Sequence, residues 1–141
     1  MFCPTSLDQY FSEHFNALDS NHNKKQNFKQ RLSLETRRRE SEDTTERYPS
    51  KVPLIVERFR REKYIGEIDK VKWLVPVEMT TLQLSVVLKQ RLNLPPGREF
   101  FLLVNGRTVP SLTSPMVSLH QKFADEDGFL YFTYSSQECF G

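Results

Sequence analysis

The side chains that most often hold metals, form crosslinks or act as nucleophiles are few and scattered in this sequence. Its two cysteines, Cys3 and Cys139, lie at opposite ends of the chain, so they predict neither a disulfide framework nor metal-ligand spacing and fit a reduced cytosolic compartment. The histidines at positions 14, 22 and 120 have no second ligand at helical spacing, which argues against a zinc site. No histidine neighbours Cys139, and we interpret its thiol as incidental. The sequence therefore predicts no catalytic residue, metal or cofactor.

Gly141, at the carboxyl end of the sequence, carries a different kind of chemistry. A glycine has no Cβ, so a flexible tail that ends in one can pass through a narrow enzyme tunnel. Its carboxylate would then be the reacting group, and the nucleophiles would belong to other proteins. By itself a final glycine carries little information, because every chain must end somewhere.

Composition places the chain among ordinary soluble proteins. It has 141 residues and a mass of 16.6 kDa, which suits one domain and a tail. A net charge of +2 and a pI of about 8.6 are too mild to predict nucleic-acid binding. No apolar run approaches the roughly 20 residues of a membrane helix, and the amino terminus lacks a signal-peptide pattern. Membrane association must therefore come from a surface or a covalent anchor.

A cluster of basic residues near the amino terminus has two interpretations. It could contact anionic lipid, tubulin or RNA, and its members are Lys29, Arg31, Arg37, Arg38 and Arg39. Acidic neighbours dilute its field, namely Glu35, Glu40, Glu42 and Asp43. We favour a solvated helical face, which is what mixed charge runs usually form.

The composition changes twice along the chain. Residues 1–27 are polar and predict a disordered extension, and residues 28–50 are dense in charge and predict short helices. A compact core is predicted over residues 51–135, followed by a flexible tail over 136–141. The stretches 51–59 and 70–75 favour an antiparallel hairpin, with Pro53 at a strand start or a free edge.

Local signals set the elements that follow. Thr80 and Gln83 form a capping box before a helix whose apolar stripe includes Leu84 and Val87. The run 100–104 predicts a strand buried on both faces, followed by an Asn105-Gly106 turn. Ser114 is predicted to cap a second helix that begins at a proline, and 129–134 reads as an aromatic last strand. The order strand, strand, helix, strand, short helix, strand describes a β-grasp.

Six segments in this order resemble the autophagy ubiquitin-like modifiers, specifically the microtubule-associated protein light chain 3 branch. They are FKQR at 28–31, KVP at 51–53, KWLVP at 72–76, FFLLVNG at 100–106, DEDGFLY at 125–131 and YSSQECFG at 134–141. The resemblance runs from residue 28 to 141. It implies an α+β, ubiquitin-like β-grasp fold with two additional amino-terminal helices, near 28–34 and 37–46.

The resemblance also implies a function. Gly141 would be activated with ATP, passed through enzyme thioesters and joined to phosphatidylethanolamine on autophagosomal membranes. Family precursors usually carry residues beyond that glycine, so Gly141 is either a native end or one exposed by a protease. The implied partners are activating and conjugating enzymes, a processing protease, and cargo receptors and autophagy proteins. The implied location is the cytoplasm, and the autophagosome membrane after lipidation.

Members of the family bind aromatic-x-x-aliphatic peptides as an extra strand on the edge of the second strand. By resemblance, the pocket for the aromatic side chain would use Glu40, Pro53, Ile55, Lys72, Leu74 and Phe129. The pocket for the aliphatic side chain would use Trp73, Val75, Pro76, Leu84, Val87 and Arg91. Lys70 and Lys72 would pair along the edge and attract acidic residues that precede such motifs.

Some of these residues have an alternative role. Ile55, Leu84 and Val87 could equally be core, whereas Lys72 and Trp73, on an edge strand, favour a binding surface. Thr44 and Trp73 depart from the family, where an aliphatic residue and a phenylalanine are usual, and so bear on groove selectivity. Leu32 stands where the branch usually has a basic residue, which weighs against microtubules as a partner.

Three functional classes remain to be weighed. A conjugated membrane tag is the leading hypothesis, a non-conjugated adaptor with the same groove is the alternative, and an enzyme lacks any converging set of titratable groups. The motif Phe15-Asn16-Ala17-Leu18, with Glu13 upstream, has the spacing that the groove recognises. It raises the hypothesis that the extension occupies the chain's own groove or a neighbour's.

Overall fold

The computed structural model describes residues 26–136, which fold as four strands and four helices. In chain order the elements are α1 (Phe28–Arg31), α2 (Leu34–Arg47), β1 (Lys51–Arg58), β2 (Lys72–Pro76), α3 (Thr81–Arg91), β3 (Phe101–Val104), α4 (Met116–Phe123) and β4 (Leu130–Ser135). None of the helices between residues 26 and 136 combines the length and the apolar character that a membrane crossing requires.

The four strands form one mixed sheet in the order β2-β1-β4-β3. β1 pairs antiparallel with β2, from Lys51 opposite Pro76 to Ile55 opposite Lys72. β1 pairs parallel with β4, and β3 pairs antiparallel with β4. The first and last strands thus occupy the centre, and β2 and β3 are the edges. This arrangement confirms the predicted α+β, ubiquitin-like β-grasp with two helices before it.

Local capping defines three of the helices. The predicted capping box of α3 is present, because the Gln83 N–H donates to the Thr80 hydroxyl at 3.2 Å and the Thr80 N–H donates to the Gln83 side chain at 2.9 Å. α1 has a second capping box, from Asn27, a residue that the sequence had assigned to the disordered extension. Ser33 caps α2.

The sheet has a core on each face. The larger core packs α3 and α4 against the sheet and contains Leu54, Leu84 and Phe132. The smaller core lies under the amino-terminal helices and consists of Phe28, Ile55, Phe129 and Tyr131. The rings of Phe28 and Phe129 meet edge to face with centroids 5.4 Å apart, a favourable aromatic geometry. The two amino-terminal helices therefore pack on a hydrophobic core that is separate from the one under α3 and α4.

Several predicted details were wrong. Ser114 does not cap α4: the cap residue is Pro115, which makes no side-chain cap bond. The reason is tertiary, since Pro115 forms a β-bridge with Thr80 and the segment stays extended there. Pro53 is the third residue of a central strand and is tolerated because pairing with β4 begins only at Leu54. Ser136, expected to open a flexible tail, is buried and hydrogen-bonded.

Candidate functional site

The free edge of β2 is the first component of the predicted groove. Val56 N–H donates to the Val71 carbonyl at 2.7 Å and Val77 N–H to the Ser50 carbonyl at 3.1 Å, across β1 and β2. Antiparallel pairs alternate between residues that exchange both bonds and residues that exchange none. The backbone groups of Lys72 and Leu74 therefore point away from β1. β2 is the edge strand of the sheet on this side, and Pro76, the next residue whose backbone points the same way, has no N–H to donate.

Alternation along β2 also separates the two predicted pockets. The aromatic-pocket residues Ile55 and Phe129 belong to the core under the amino-terminal helices. The aliphatic-pocket residues Trp73, Val75, Leu84 and Val87 belong to the core under α3, and so does Leu74, which was predicted for the aromatic pocket. Since successive side chains of a strand point to opposite faces, a peptide along this edge would have predicted pocket residues on both sides.

Lys72 is the polar centre of the aromatic side. Its ammonium group makes a 2.7 Å ion pair with Glu40 of α2 and lies 5.8 Å from the centre of the Phe28 ring, and its side chain is 0% exposed. Thr44, one turn after Glu40, donates its hydroxyl to the Glu40 carbonyl at 2.8 Å. The second Glu40 carboxylate oxygen, Oε2, is buried without a hydrogen-bond partner. Such an acceptor is costly and favours an additional donor.

On the other side, Arg91 and Trp73 are held by neighbouring groups. Arg91 makes a bidentate ion pair with Asp69, with bonds of 2.8 and 2.6 Å. The Trp73 indole N–H donates to the Lys70 carbonyl at 2.9 Å. The partners of these two side chains, Asp69 and Lys70, both lie just before β2 begins at Lys72.

Most of the predicted pocket residues are buried in this structure. Lys72 and Trp73, which the sequence favoured as a binding surface, are buried, with Trp73 only 2% exposed. Lys72 is paired with Glu40 of α2 and Trp73 belongs to the core under α3, and their part in binding stays a prediction. Ile55, Leu84 and Val87, for which core and pocket were equally favoured, pack as core. Pro53 and Leu74 are buried as well, and Pro76 is half-buried.

A buried ionic network that the sequence did not reveal joins α2 to the loop before β4. Arg37 donates to the Asp127 carboxylate at 2.6 Å, Tyr131 donates its hydroxyl to the same oxygen at 2.5 Å, and Phe129 N–H donates to the other oxygen at 2.8 Å. Ser41 donates its hydroxyl to the Asp127 carbonyl. We call these residues the α2 latch. It holds the helix that carries Glu40.

The latch shifts the protonation equilibria of its members. Burial, reinforced by the hydrogen bond to Asp127, raises the pKa of Tyr131 far above its usual value. Burial opposes the charge on Arg37, but the bonds to Asp127 and Tyr131 outweigh it and leave the Arg37 pKa raised. Burial also opposes the charge on Asp125, yet the hydrogen bond from Lys29 holds the pKa of that carboxyl below its usual range.

A second polar cluster lies at the opposite end of the sheet. Glu62, in the connection between β1 and β2, accepts hydrogen bonds from the backbone N–H groups of Tyr64 and Ile65 and from Ser135 and Ser136 at the end of β4. A single acid between basic residues at 60, 61 and 63 was its only trace in the sequence.

A cleft lies away from the predicted groove. It is a cleft of about 780 Å³ between α1, the end of α4 and the Asn105-Gly106 turn. Glu57 and Thr133 lie in its floor, and burial raises the pKa of Glu57 although Phe28 N–H donates to its carboxylate at 2.9 Å. Within residues 26–136, no three metal-ligating side chains stand close enough to hold an ion.

Several predicted residues lie outside the described part of the chain. They are Gly141, Cys3, Cys139 and the Phe15-to-Leu18 motif. Their geometry therefore adds nothing to the site.

Comparison with known proteins decides the family. The model described as "Autophagy protein Atg8 ubiquitin like" matches residues 36–141. The chain belongs to the Atg8 family of ubiquitin-like autophagy proteins. A human relative, microtubule-associated protein 1 light chain 3 gamma, is 41% identical over 81% of this chain and 78% of its own length. Protein lgg-2 of Caenorhabditis elegans is 40% identical over 81% of this chain and 88% of its own.

The similarity extends across distant Atg8 relatives. Autophagy-related protein 8 of the yeast Vanderwaltozyma polyspora is 40% identical over 83% of this chain and 98% of its own length. The predicted resemblance to the light chain 3 and Atg8 family is therefore confirmed. The family match includes every predicted pocket residue, from Glu40 to Phe129, together with Gly141, and begins after α1.

Proposed function

We propose that this Atg8-family chain is a ubiquitin-like modifier that is conjugated through Gly141 to phosphatidylethanolamine and recruits other proteins through the β2 edge. The observation that carries the recruiting half is the position of β2 at the edge of the sheet, with predicted pocket residues on both faces beside it. The conjugating half rests on the family match through Gly141. In this role the chain is a substrate of enzymes and has no active site of its own.

Conjugation needs only the Gly141 carboxylate from this chain. ATP converts the carboxylate to an acyl adenylate and releases pyrophosphate. An enzyme thiolate then displaces AMP, and a second enzyme thiolate displaces the first. The phosphatidylethanolamine amine attacks the thioester carbonyl, so a C–N bond forms, the C–S bond breaks and the thiolate leaves. Activating and conjugating enzymes are therefore partners, with a processing protease where residues follow the glycine.

Recruitment would use strand addition. An extended peptide beside β2 can bond to the outward N–H and C=O groups of Lys72 and Leu74, and each such bond contributes a net of about 0.5–1.5 kcal/mol. Its aromatic side chain would enter beside Glu40 and Lys72, where the unpartnered Glu40 oxygen offers an acceptor. Its aliphatic side chain would enter beside Trp73. Most of these pocket residues are buried in the free chain, so binding would require side-chain movement on each face.

Location and partners follow from this proposal. The unconjugated chain would be cytoplasmic and the conjugated one would sit on autophagosomal membranes, where cargo receptors and autophagy proteins with aromatic-x-x-aliphatic motifs would bind. A non-conjugated adaptor is the second candidate. The edge and both groups of pocket residues lie within residues 26–136, so the groove does not depend on Gly141.

The decisive experiment for conjugation is a reconstitution. The chain is mixed with the activating and conjugating enzymes of the family, ATP and phosphatidylethanolamine liposomes, with Gly141→Ala as the matched control. We expect a mobility shift and liposome flotation for the wild type alone. If neither form reacts while another family member does in the same mixture, the adaptor function replaces the modifier.

A second experiment tests the groove. An aromatic-x-x-aliphatic peptide is titrated into the labelled chain, and a peptide with alanine at both anchor positions serves as control. We expect the largest chemical-shift changes at the Lys72 and Leu74 amides and at least tenfold weaker binding of the control. Changes centred on β3, at the other edge of the sheet, would show that this surface has been misassigned.

A further inference from the structure

The Glu62 cluster joins two parts of the chain that no sheet bond connects. Glu62 lies in the β1–β2 connection, whereas Ser135 and Ser136 are 73 and 74 residues further on. The Glu62 carboxylate accepts from the Ser136 N–H at 2.6 Å and from the Ser136 hydroxyl at 2.8 and 2.9 Å. It also accepts from the Ser135 hydroxyl at 3.1 Å. Residue 136 is thus fixed beyond the end of β4.

Its own loop completes the coordination of this carboxylate. The N–H groups of Tyr64 and Ile65 donate to Glu62 at 2.9 and 3.1 Å. Glu62 is 4% exposed, and burying a carboxylate is unfavourable unless donors surround it. Both of its oxygens have donors, from the loop and from the strand end. The cluster therefore acts as a clamp with one carboxylate at its centre.

The position of the clamp relative to Gly141 gives it a consequence for conjugation. Five residues, 137–141, lie between Ser136 and the Gly141 carboxyl, and a fully extended chain of that length spans at most about 18 Å. The next residue back with a firm anchor is Ser135, which pairs with Phe101 at the end of β4. From there the span would be about 22 Å.

We propose that Glu62 is a positioning residue for conjugation, which fixes the point at which the reactive segment leaves the fold. This inference rests on the proposed conjugation at Gly141. When Glu62 holds Ser136, the Gly141 carboxyl is tethered to the fold by fewer residues, so an enzyme docked on the fold finds it within a shorter distance. Effective concentration falls roughly as the −3/2 power of the tether length, so lengthening it from five to six residues lowers it by about 1.3-fold.

The test compares four proteins: wild type, Glu62→Gln, Ser136→Ala and Ser41→Ala. The glutamine has the size of Glu62 but turns an amide toward the donors, and Ser136→Ala removes the hydroxyl and keeps the N–H bond. Ser41 is also a buried, hydrogen-bonded serine but belongs to the α2 latch, so its variant controls for lost stability. Ser136→Ala keeps the test informative if Glu62→Gln does not fold.

The first measurement is hydrogen exchange at the Ser136 amide. We expect it to be at least tenfold faster in Glu62→Gln and unchanged in Ser41→Ala, with β1 and β4 amides protected in both. Unchanged exchange at Ser136 would overturn the clamp itself, whether or not the chain is a modifier.

The second measurement is kcat/KM for formation of the phosphatidylethanolamine conjugate, which we expect to fall by about 1.3-fold in Glu62→Gln. One glycine inserted after Ser136 of the wild type should cause a similar fall, which a loss of stability would not imitate. Wild-type rates in Glu62→Gln would overturn only the role of Glu62. No reaction of the wild type itself would overturn the proposed function, and this inference with it.

Discussion

Replacing Asp127 by asparagine tests whether the α2 latch stabilises the fold. The asparagine keeps an oxygen for the Phe129 N–H, now 2.8 Å away, but presents an uncharged group to Arg37 and to the Tyr131 hydroxyl. The carboxylate is fully buried, so water cannot replace what is lost. The substitution therefore leaves a buried guanidinium short of its closest counter-charge.

The size of the effect can be worked from these contacts. Hydrogen bonds to charged groups contribute about 1.5–3 kcal/mol each, and removing one partner of a buried ion pair costs about 3–5 kcal/mol. Asp125 lies 4.0 Å from Arg37 and offsets part of the loss. We expect the free energy of unfolding to fall by about 3 kcal/mol, which lowers a urea midpoint by about 1.5 M at a typical slope.

The single tryptophan of the chain, Trp73, is a built-in probe for this measurement. It is buried, so its emission should shift to the red on unfolding. Asp125→Asn is the matched control, because that carboxylate and its partner Lys29 are 18% and 45% exposed and their pair contributes at most about 1 kcal/mol. If the two variants unfold at the same urea concentration, the argument that burial makes the latch strong is refuted.

Three further predictions follow from local geometry. Gly128→Ala should lower stability by at least about 1–2 kcal/mol in urea unfolding, because φ is +91° and the new Cβ would collide with the Ser41 hydroxyl; wild-type stability would contradict this. The pKa values of Tyr131 and Tyr134 are raised in the fold, so their protonated phenols stabilise it below pH 10, and this stabilisation is lost as pH rises further. Absorbance at high pH should therefore show both phenols ionising only when the protein unfolds. The pKa of Glu57 is raised in the fold, which means that its charged form is disfavoured there. Glu57→Gln should therefore raise the urea midpoint at neutral pH and not at pH 4. An equal effect at both pH values would contradict this explanation.

The features that the sequence predicted well are those set by neighbouring residues. The Thr80 and Gln83 capping box, the Asn105-Gly106 turn and the order of helices and strands along the chain depend on short-range patterns. Both turn residues have the positive φ that this dipeptide favours, at 55° and 69°. Such signals act over a few residues, so the structure they predict does not depend on which distant residues pack against them.

The features that the sequence missed depend on distant partners. Asp127 looked like an ordinary turn residue, yet its partner Arg37 is 90 residues away, and the partners of Glu62 are just as remote. The burial of Trp73 was missed for a related reason. Its charged neighbours suggested a surface, but alternation turns its side chain toward α3 while its neighbours face elsewhere. Residue types alone do not reveal which helix covers which face.

The burial of the Lys72 amine has a practical consequence for chemical labelling. Amine-reactive reagents need an accessible, uncharged nitrogen, and this one is enclosed and paired with Glu40. In a mass-spectrometric footprint, Lys72 should therefore be among the last lysines to be modified, while exposed ones such as Lys63 react at once. Any ligand, membrane or variant that opens the aromatic side of the groove would reveal itself as an acylated Lys72, which makes this residue an internal reporter of that surface.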